Sequence, residues 1–217
     1  MNLWGAGPAH PGWPTAVGPL RVPGGLIRLR PIRMRDGAHW SRIRLAERDS
    51  LEPWEPSAEV DWAARHSLSA WPAMYSGIRA EARKGRMLPY VIEVDGRFGG
   101  QLTIGNVTHG SLKSAWIGYW VAEELTGGGV ATGAVALGLD HCFGPVGLHR
   151  VEATVRPENA RSRRVLAKVG FREEGLLRCY LNVDGDWRDH LLVAMTAEEP
   201  DGSVTATLVR RRLATWQ

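Results

Sequence analysis

Apolar positions change their spacing at Pro89, and this change separates a helical first part of the chain from a strand-rich second part. Before Pro89, apolar residues recur at helical intervals in Asp36–Arg48, which predicts one helix. A second helical region is predicted over Ala58–Lys84. Pro72 and Gly77 interrupt that region and favour two helices rather than one.

From Pro89 onward, short runs of alternating apolar and polar residues predict strands. The dipeptide Asp95-Gly96 between two such runs is typical of a tight hairpin turn. Together with one run near the N-terminus, strands are predicted at 26–30, 90–94, 97–104, 114–121, 150–155, 176–182 and 187–195. One helix opens after Gly129 and another spans Asn159–Val169, ending at Gly170. The order predicts a mixed α/β sheet in one domain.

The two ends of the chain lack this regular pattern. Residues 1–24 contain many Gly and Pro residues without a period, which predicts an extended arm. We therefore divide the chain into an N-terminal arm (1–24), one domain (25–197) and a C-terminal extension (198–217). Arg210-Arg211-Arg212 in the extension is most simply a solvated tail, with contact to RNA as the alternative.

Composition narrows the class of protein. A chain of 217 residues that is 44% hydrophobic can bury one core, and a net charge of +4 does not by itself indicate nucleic-acid binding. No stretch approaches the roughly 20 apolar residues of a membrane span, and no secretory signal is evident, so a cytoplasmic protein is expected. Cys142 and Cys179 are interpreted as ordinary buried thiols, and no metal-ligand spacing is present.

Two strand-to-helix junctions concentrate the candidate chemistry. The strand Ser114–Val121 is followed by an acidic turn and by Gly127–Gly129, which opens a helix. The strand Arg150–Val155 is followed by a helix that Asn159 caps. Unpaired N–H groups at two neighbouring helix N-termini can bind one phosphate-bearing ligand. The junctions therefore predict a cofactor enzyme.

The motifs resemble, in order and distance, those of the GCN5-related N-acetyltransferases (GNAT), and most of all the RimJ/RimL-like branch that acetylates ribosomal-protein alanines. The segments that carry the resemblance are IGYWV (117–121), TGGGVAT (126–132), PENARS (157–162), KVGF (168–171) and YLNVDGDWRDHLLVAM (180–195). The resemblance implies one mostly antiparallel sheet of about six or seven strands, flanked by helices, with a splayed central strand pair.

Acetyl-coenzyme A is the cofactor that the resemblance implies. Backbone N–H groups of the glycine loop would bind its pyrophosphate, and the backbone of the preceding strand would pair with its pantetheine amides. Thr126 stands where the family has Gln or Arg, a departure that should cost little because backbone groups do the binding. The implied cofactor-binding residues are Trp120, Val121, Thr126, Gly127, Gly128, Gly129, Val130, Ala131, Thr132, Asn159 and Ser162.

The implied reaction is direct attack of an amine on the thioester. The tyrosine that acts as the acid in other members falls at Leu166, so Ser162 becomes the candidate that protonates the departing thiolate. A backbone N–H near Val121 is the candidate donor to the developing oxyanion.

A carboxylate, acting directly or through water, is the natural base for an ammonium acceptor. Glu152 is the first candidate, although a structural ion pair, with Arg150 or with a helix arginine, accounts for it equally well. Glu93, Glu123 and Glu124 are further candidates for the base. His149 and His190 are interpreted as structural histidines. Tyr119 and Tyr180 either line the acceptor pocket or pack in the fold.

The branch implies that the acceptor is the α-amine of a protein N-terminus, that of a ribosomal protein. Glu52, Glu55 and Glu59 could supply negative charge for its ammonium. The alternatives are a small-molecule amine, such as an antibiotic or a polyamine, and a non-catalytic acyl-coenzyme A-binding module. A dinucleotide site is disfavoured because antiparallel hairpins precede the glycines. A monomer or homodimer is expected, without membrane or direct nucleic-acid contact.

Overall fold

One eight-stranded sheet organises the part of the chain that the computed structural model describes, which is residue 10 and residues 12–216. The strands are β1 Val17–Val22, β2 Gly25–Pro31, β3 Met87–Val94, β4 Arg97–Thr108, β5 Ser114–Val121, β6 Arg150–Val155, β7 Arg172–Val183 and β8 Asp186–Thr196. Their order is β1-β2-β3-β4-β5-β6-β8-β7. Only β5 and β6 run parallel among these neighbours. The mixed, mostly antiparallel fold expected from the sequence is confirmed.

Helices cover both faces of this sheet. They are α1 Gly37–Ala46, α2 Arg48–Leu51, α3 Trp62–Arg65, α4 Trp71–Arg83, α5 Val130–Phe143, α6 Ala160–Val169 and α7 Val204–Arg210. The helical region before Pro89 is divided into two helices, as expected, but the break lies at residues 66–70 rather than at Pro72 or Gly77. Pro72 lies in the first turn of α4, where a missing N–H is tolerated, and Gly77 lies inside α4 without ending it.

The strand that the sequence did not predict is β1, which comes from the Gly/Pro-rich arm. It pairs antiparallel with β2 and buries Leu20 and Val22 against the core. Residues 1–9 and 11 of the arm lie outside the described residues. At the other end, α7 packs on α5, where the Asp140 carboxylate accepts hydrogen bonds from the N–H groups of Val204 and Thr205 at 2.7 and 3.1 Å. The division into arm, domain and extension stays a prediction.

The two cysteines differ in burial. Cys142 on α5 is fully buried, and burial raises the pKa of its thiol. Cys179 on β7 is exposed, so the expectation of a buried thiol there is wrong. The reason is its place on an edge strand whose side chains are mostly exposed on both faces. In the described part of the chain, no helix is long and apolar enough to cross a membrane.

The central parallel pair opens into a gap. β5 and β6 pair only at Ser114↔Arg150, Ala115↔Val151 and Trp116↔Glu152. On its other edge β5 stays paired with β4 as far as Gly100↔Val121. The second half of β5 therefore turns an edge toward the gap that no described strand fills, in agreement with the expected splay.

Candidate active site

A cavity of about 890 Å³ fills the gap between β5 and β6 and extends to both faces of the sheet. We call the part lined by residues 126, 127 and 129–132 and by α6 the loop half. The part lined by Trp40, Trp54, Trp116 and Trp120 is called the aromatic half. All the predicted cofactor-binding residues except Gly128 line this cavity. The structure thus brings the two predicted junctions to one site.

The glycine loop gives the loop half its free N–H groups. Gly129 is the N-cap residue of α5 and has a φ of +80°. Because it has no side chain, no capping oxygen occupies the N–H groups of the first turn. The first bond of the helix runs from Gly133 N–H to the Gly129 carbonyl, so the N–H groups of Val130, Ala131 and Thr132 precede the helical ladder. All three residues line the cavity. Such a helix terminus attracts phosphate through its N–H groups and its dipole.

Gly128 faces away from the cavity. Its carbonyl accepts a 2.7 Å hydrogen bond from Gly24 N–H in the β1–β2 turn. A Cβ on Gly128 would lie 2.7 Å from the Gly24 Cα, which is too close for any side chain. The structure therefore gives Gly128 a packing role beneath the loop, and its assignment as a cofactor-binding residue stays a prediction.

The first turn of α6 places Ser162 beside a buried phenol. The Asn159 side chain accepts the Ser162 N–H at 3.0 Å, the cap expected from the sequence. The Tyr119 hydroxyl lies 2.9 Å from Ser162 Oγ. Burial raises the pKa of Tyr119 to about 12, against the opposing effect of this hydrogen bond. The phenol therefore stays protonated at neutral pH and can donate to Ser162.

Three cations extend the loop half along α6, and the sequence analysis missed them. Arg161, Arg164 and Lys168 all line the cavity. Their spacing of three and then four residues is the signal that could have found them, because it places them on one helix face. Guanidinium and ammonium groups pair well with phosphate oxygens. The loop half can therefore hold a polyanion.

Glu152 lies outside the cavity lining. Its carboxylate pairs with Arg150 Nε at 2.6 Å, and Arg150 also binds Glu174. Arg150 is the main reason that the pKa of Glu174 falls to about 2. The ion-pair alternative left open by the sequence is thus what the structure shows, while a catalytic role of Glu152 stays untested. Of the other carboxylates, Glu93 pairs with Arg30 at 2.7 Å, and Glu123 and Glu124 are exposed.

Arg44 lies at the centre of the aromatic half. It is only 5% exposed, and its guanidinium carbon is 4.9 Å from the ring centre of Trp62 and 5.1 Å from that of Trp120. Nη2 pairs with Glu55 and lies 3.1 Å from His66 Nε2. Among the described residues, Nε and Nη1 have no hydrogen-bond partner. Burial lowers the Arg44 pKa although Glu55 opposes the shift. Arg44 thereby fixes one wall of the aromatic half.

His66 is held neutral beside Arg44. Its Nδ1 lies 2.9 Å from the Trp62 carbonyl, which can only accept, so Nδ1 carries the proton and Nε2 accepts from Arg44. Burial, and after it the Arg44 charge, lowers the His66 pKa to about 4. Both ring nitrogens are thus engaged.

Only one of the three glutamates suggested for the acceptor reaches the cavity. Glu55 lines it, paired with Arg44. Glu52 pairs with Arg48 at 2.6 Å, and Glu59 is exposed outside the lining.

The comparison with known families agrees with this geometry. Residues 27–172 match the acetyltransferase (GNAT) domain. The chain belongs to the GNAT family. Its resemblance to that family, its enzyme class as an acyltransferase and its use of acetyl-coenzyme A are thereby confirmed.

Individual GNAT proteins match over most of the chain. A solved structure of Mycobacterium smegmatis RimJ in complex with CoA-disulfide has 68% sequence identity and a TM-score of 0.95, covering 96% of this chain and 100% of that one. The probable N-acetyltransferase YjcK of Bacillus subtilis is 40% identical over 79% of this chain and 94% of its own. The [Ribosomal protein uS5]-alanine N-acetyltransferase of Escherichia coli is 27% identical over 87% and 96%.

The residues present fit acetyl-coenzyme A. The N–H groups before the α5 ladder and the cations of α6 suit its phosphates. The free edge of β5 suits a ligand with extended amides. When bound, this donor supplies an acetyl group already activated as a thioester.

Proposed function

We propose that this protein acetylates the N-terminal α-amine of a ribosomal protein. The observation that carries the proposal is the 68% identity with M. smegmatis RimJ over nearly the whole chain. The E. coli relative, which by its name acts on the alanine of ribosomal protein uS5, supports it over 87% of the chain. Such an acceptor would be met in the cytoplasm. Either a monomer or a homodimer is compatible with the proposal, which includes no direct contact with nucleic acid.

The loop half would bind the donor mainly through backbone groups. The N–H groups of Val130, Ala131 and Thr132 would bind the pyrophosphate, in the arrangement that leaves them free of the helical ladder. Trp120 and Val121, on the open edge of β5, would pair with the pantetheine amides. The same segments position the thioester in the gap.

Ser162 would act as the acid toward the departing sulfur. Its N–H is tied to Asn159, and its Oγ lies 2.9 Å from the Tyr119 hydroxyl. A protonated phenol at that distance can donate to Ser162 Oγ and stabilise it as its own proton leaves. Tyr119 thereby takes a place that the sequence left empty at Leu166, but from β5 rather than from α6.

Alternation along β5 separates the two reactants. Tyr119 points toward α6, since it contacts Ser162, and the next residue, Trp120, points to the opposite face, where it meets Arg44. The donor sulfur would lie on the α6 side of the gap and the amine would approach from the aromatic half. This arrangement supports direct transfer without an acyl-enzyme.

Intact-mass spectrometry on short peptides tests the proposal. With acetyl-coenzyme A, peptides that begin with Ala or Ser should gain one acetyl group at the α-amine, while the same peptides with a blocked N-terminus and an internal lysine should gain none. Spermidine is the rival acceptor, because the E. coli spermidine N(1)-acetyltransferase is 28% identical over 46% of this chain. Acetylation of spermidine without acetylation of any peptide would contradict the proposal.

A further inference from the structure

Two buried histidines line the cavity, and their hydrogen bonds differ. Both are only 4% exposed. His66 has both ring nitrogens engaged, by the Trp62 carbonyl and by Arg44. His190 on β8 makes one bond, in which Nδ1 lies 3.0 Å from the Arg188 carbonyl. Because a carbonyl can only accept, Nδ1 of His190 carries the proton.

The other ring nitrogen of His190 is therefore the one left to accept a proton. In the neutral ring, Nε2 presents a lone pair, and within the described part of the chain it has no hydrogen-bond partner. A neutral imidazole held by its Nδ1–H is the arrangement that leaves Nε2 ready to accept a proton. Of the two histidines in the cavity, only His190 has this arrangement.

Sheet register places His190 on the face from which the acceptor would come. Trp116 lies opposite Glu152, which lies opposite Ala194, so these three side chains share one face. Trp120 is four residues after Trp116 and His190 is four residues before Ala194, and even spacing keeps a side chain on the same face. His190 and Trp120 therefore both belong to the acceptor side of the sheet.

The same register places His190 beside the gap. Leu191 pairs with Val155, the last residue of β6, so His190 lies level with the point where the chain leaves β6 for α6. Leu191 and Val193 line a separate groove beneath α6, which confirms that His190 points the other way. Glu152, by contrast, lies on the same face but further from the open end of the gap, in its pair with Arg150.

We propose that His190 is the general base of the reaction, an inference that rests on the proposed N-terminal acetylation. Nε2 of His190 takes a proton from the acceptor ammonium. The amine nitrogen bonds to the acetyl carbon and its second proton passes to solvent, while the C–S bond breaks and the sulfur takes the Ser162 Oγ proton. Imidazole then returns its proton to solvent, and Ser162 is reprotonated through Tyr119 from water.

Replacing His190 by Asn tests this role. The Asn amide can still donate to the Arg188 carbonyl, as Nδ1 does, but it has no group at the Nε2 position. We expect kcat/KM toward an Ala-initiated peptide to fall about 10²- to 10⁴-fold, with the Kd of acetyl-coenzyme A unchanged by calorimetry. His190→Gln is the second variant should His190→Asn not fold, and the exposed His149, which pairs with Glu198, provides the matched control His149→Asn.

A second acceptor separates catalysis from structure. A peptide whose α-amine is replaced by an aminooxy group is already neutral at neutral pH and needs no base. With this acceptor, the loss of kcat/KM caused by His190→Asn should shrink to about tenfold or less. An equal loss with both acceptors would make His190 structural and overturn the proposal, as would full activity of the variant toward the ordinary peptide.

The proposed function and the role of His190 fail in different ways. If the wild-type protein acetylates spermidine but no peptide, the acceptor assignment is wrong, and the ratio of wild type to His190→Asn is then measured with spermidine. A large loss there supports the base, and no loss overturns it.

Discussion

The two halves of the cavity are built by different means. In the loop half, the groups that face the ligand are mostly backbone N–H groups of residues 130–132, together with the cations of α6. In the aromatic half they are side chains from α1, β5 and β8, together with Trp54 and His66 from the connecting segments, and Arg44 holds several of them in place. Donor binding should therefore depend on a few local backbone conformations. Acceptor binding should depend on side chains that meet only in the folded protein.

Removing Arg44 should have the largest effect and should leave donor binding intact. Arg44→Met takes the buried guanidinium from between Trp62 and Trp120 and leaves Glu55 without its partner. Unfolding in urea should show a loss of about 4 kcal/mol, and KM for the peptide should rise. The Kd of acetyl-coenzyme A should not change, and a parallel loss of donor binding would contradict the separation of the halves.

The matched control for Arg44 is Arg48, four residues along the chain. Arg48 forms an exposed ion pair with Glu52. Exposed pairs of this kind contribute little, so Arg48→Met should leave the unfolding curve nearly unchanged.

Acid should loosen the aromatic half through His66. Its folded pKa is about 4 against an ordinary value of 6.5, so the unfolded chain binds a proton that the folded protein does not. The contribution of neutral His66 to the free energy of unfolding is therefore fully present above about pH 6.5. It is lost as the pH falls toward 4, and the loss amounts to about 3 kcal/mol. His66→Gln should flatten this part of the pH–stability curve, and a slope equal to that of the wild type would sink the assignment.

Tyr119→Phe should slow the reaction without weakening the donor complex. The variant removes only the hydroxyl that lies 2.9 Å from Ser162 Oγ. We expect kcat to fall about tenfold, or about 1.4 kcal/mol in activation free energy. The Kd of acetyl-coenzyme A should stay constant. Tyr180→Phe, which alters an exposed phenol, is the control. An unchanged kcat in Tyr119→Phe would show that the hydroxyl only packs.

Asn159→Ala should have the smallest effect and should act on the loop half alone. It removes the cap on Ser162 N–H and should cost about 1 kcal/mol of stability. The affinity for acetyl-coenzyme A should fall because the first turn of α6 becomes less ordered. The KM for the peptide acceptor should not change. Asn159→Asp keeps the capping oxygen, and it should recover the stability.

The sequence predicted the loop half because that half is local. Gly129, Asn159 and Gly170 each cap a helix through contacts within one turn of the chain. Such caps can be recognised from the local sequence, without knowledge of the fold. The aromatic half escaped prediction because its partners are distant in the chain. Arg44 meets Trp120 only after the sheet forms, and nothing in the sequence places His190 level with the end of β6.

Other differences have similar physical reasons. β1 was missed because Gly and Pro hide its alternation, although sheet pairing with β2 outweighs their low propensity. Glu152 stayed a catalytic candidate because alternation gives the face of a side chain but does not decide between a free carboxylate and an ion pair.

The contact between Gly24 and Gly128 makes the glycine loop dependent on the N-terminal strands of the sheet. The turn that follows β1 supports the loop before α5 from below, although the two are far apart in the chain. A deletion that includes Gly24 removes the N–H group that holds the Gly128 carbonyl and should weaken coenzyme binding, in addition to exposing the core that Leu20 and Val22 cover. A shortened protein would then fail in an acetylation assay because its glycine loop has lost the hydrogen bond from Gly24. Assays should therefore keep β1 and the turn that follows it.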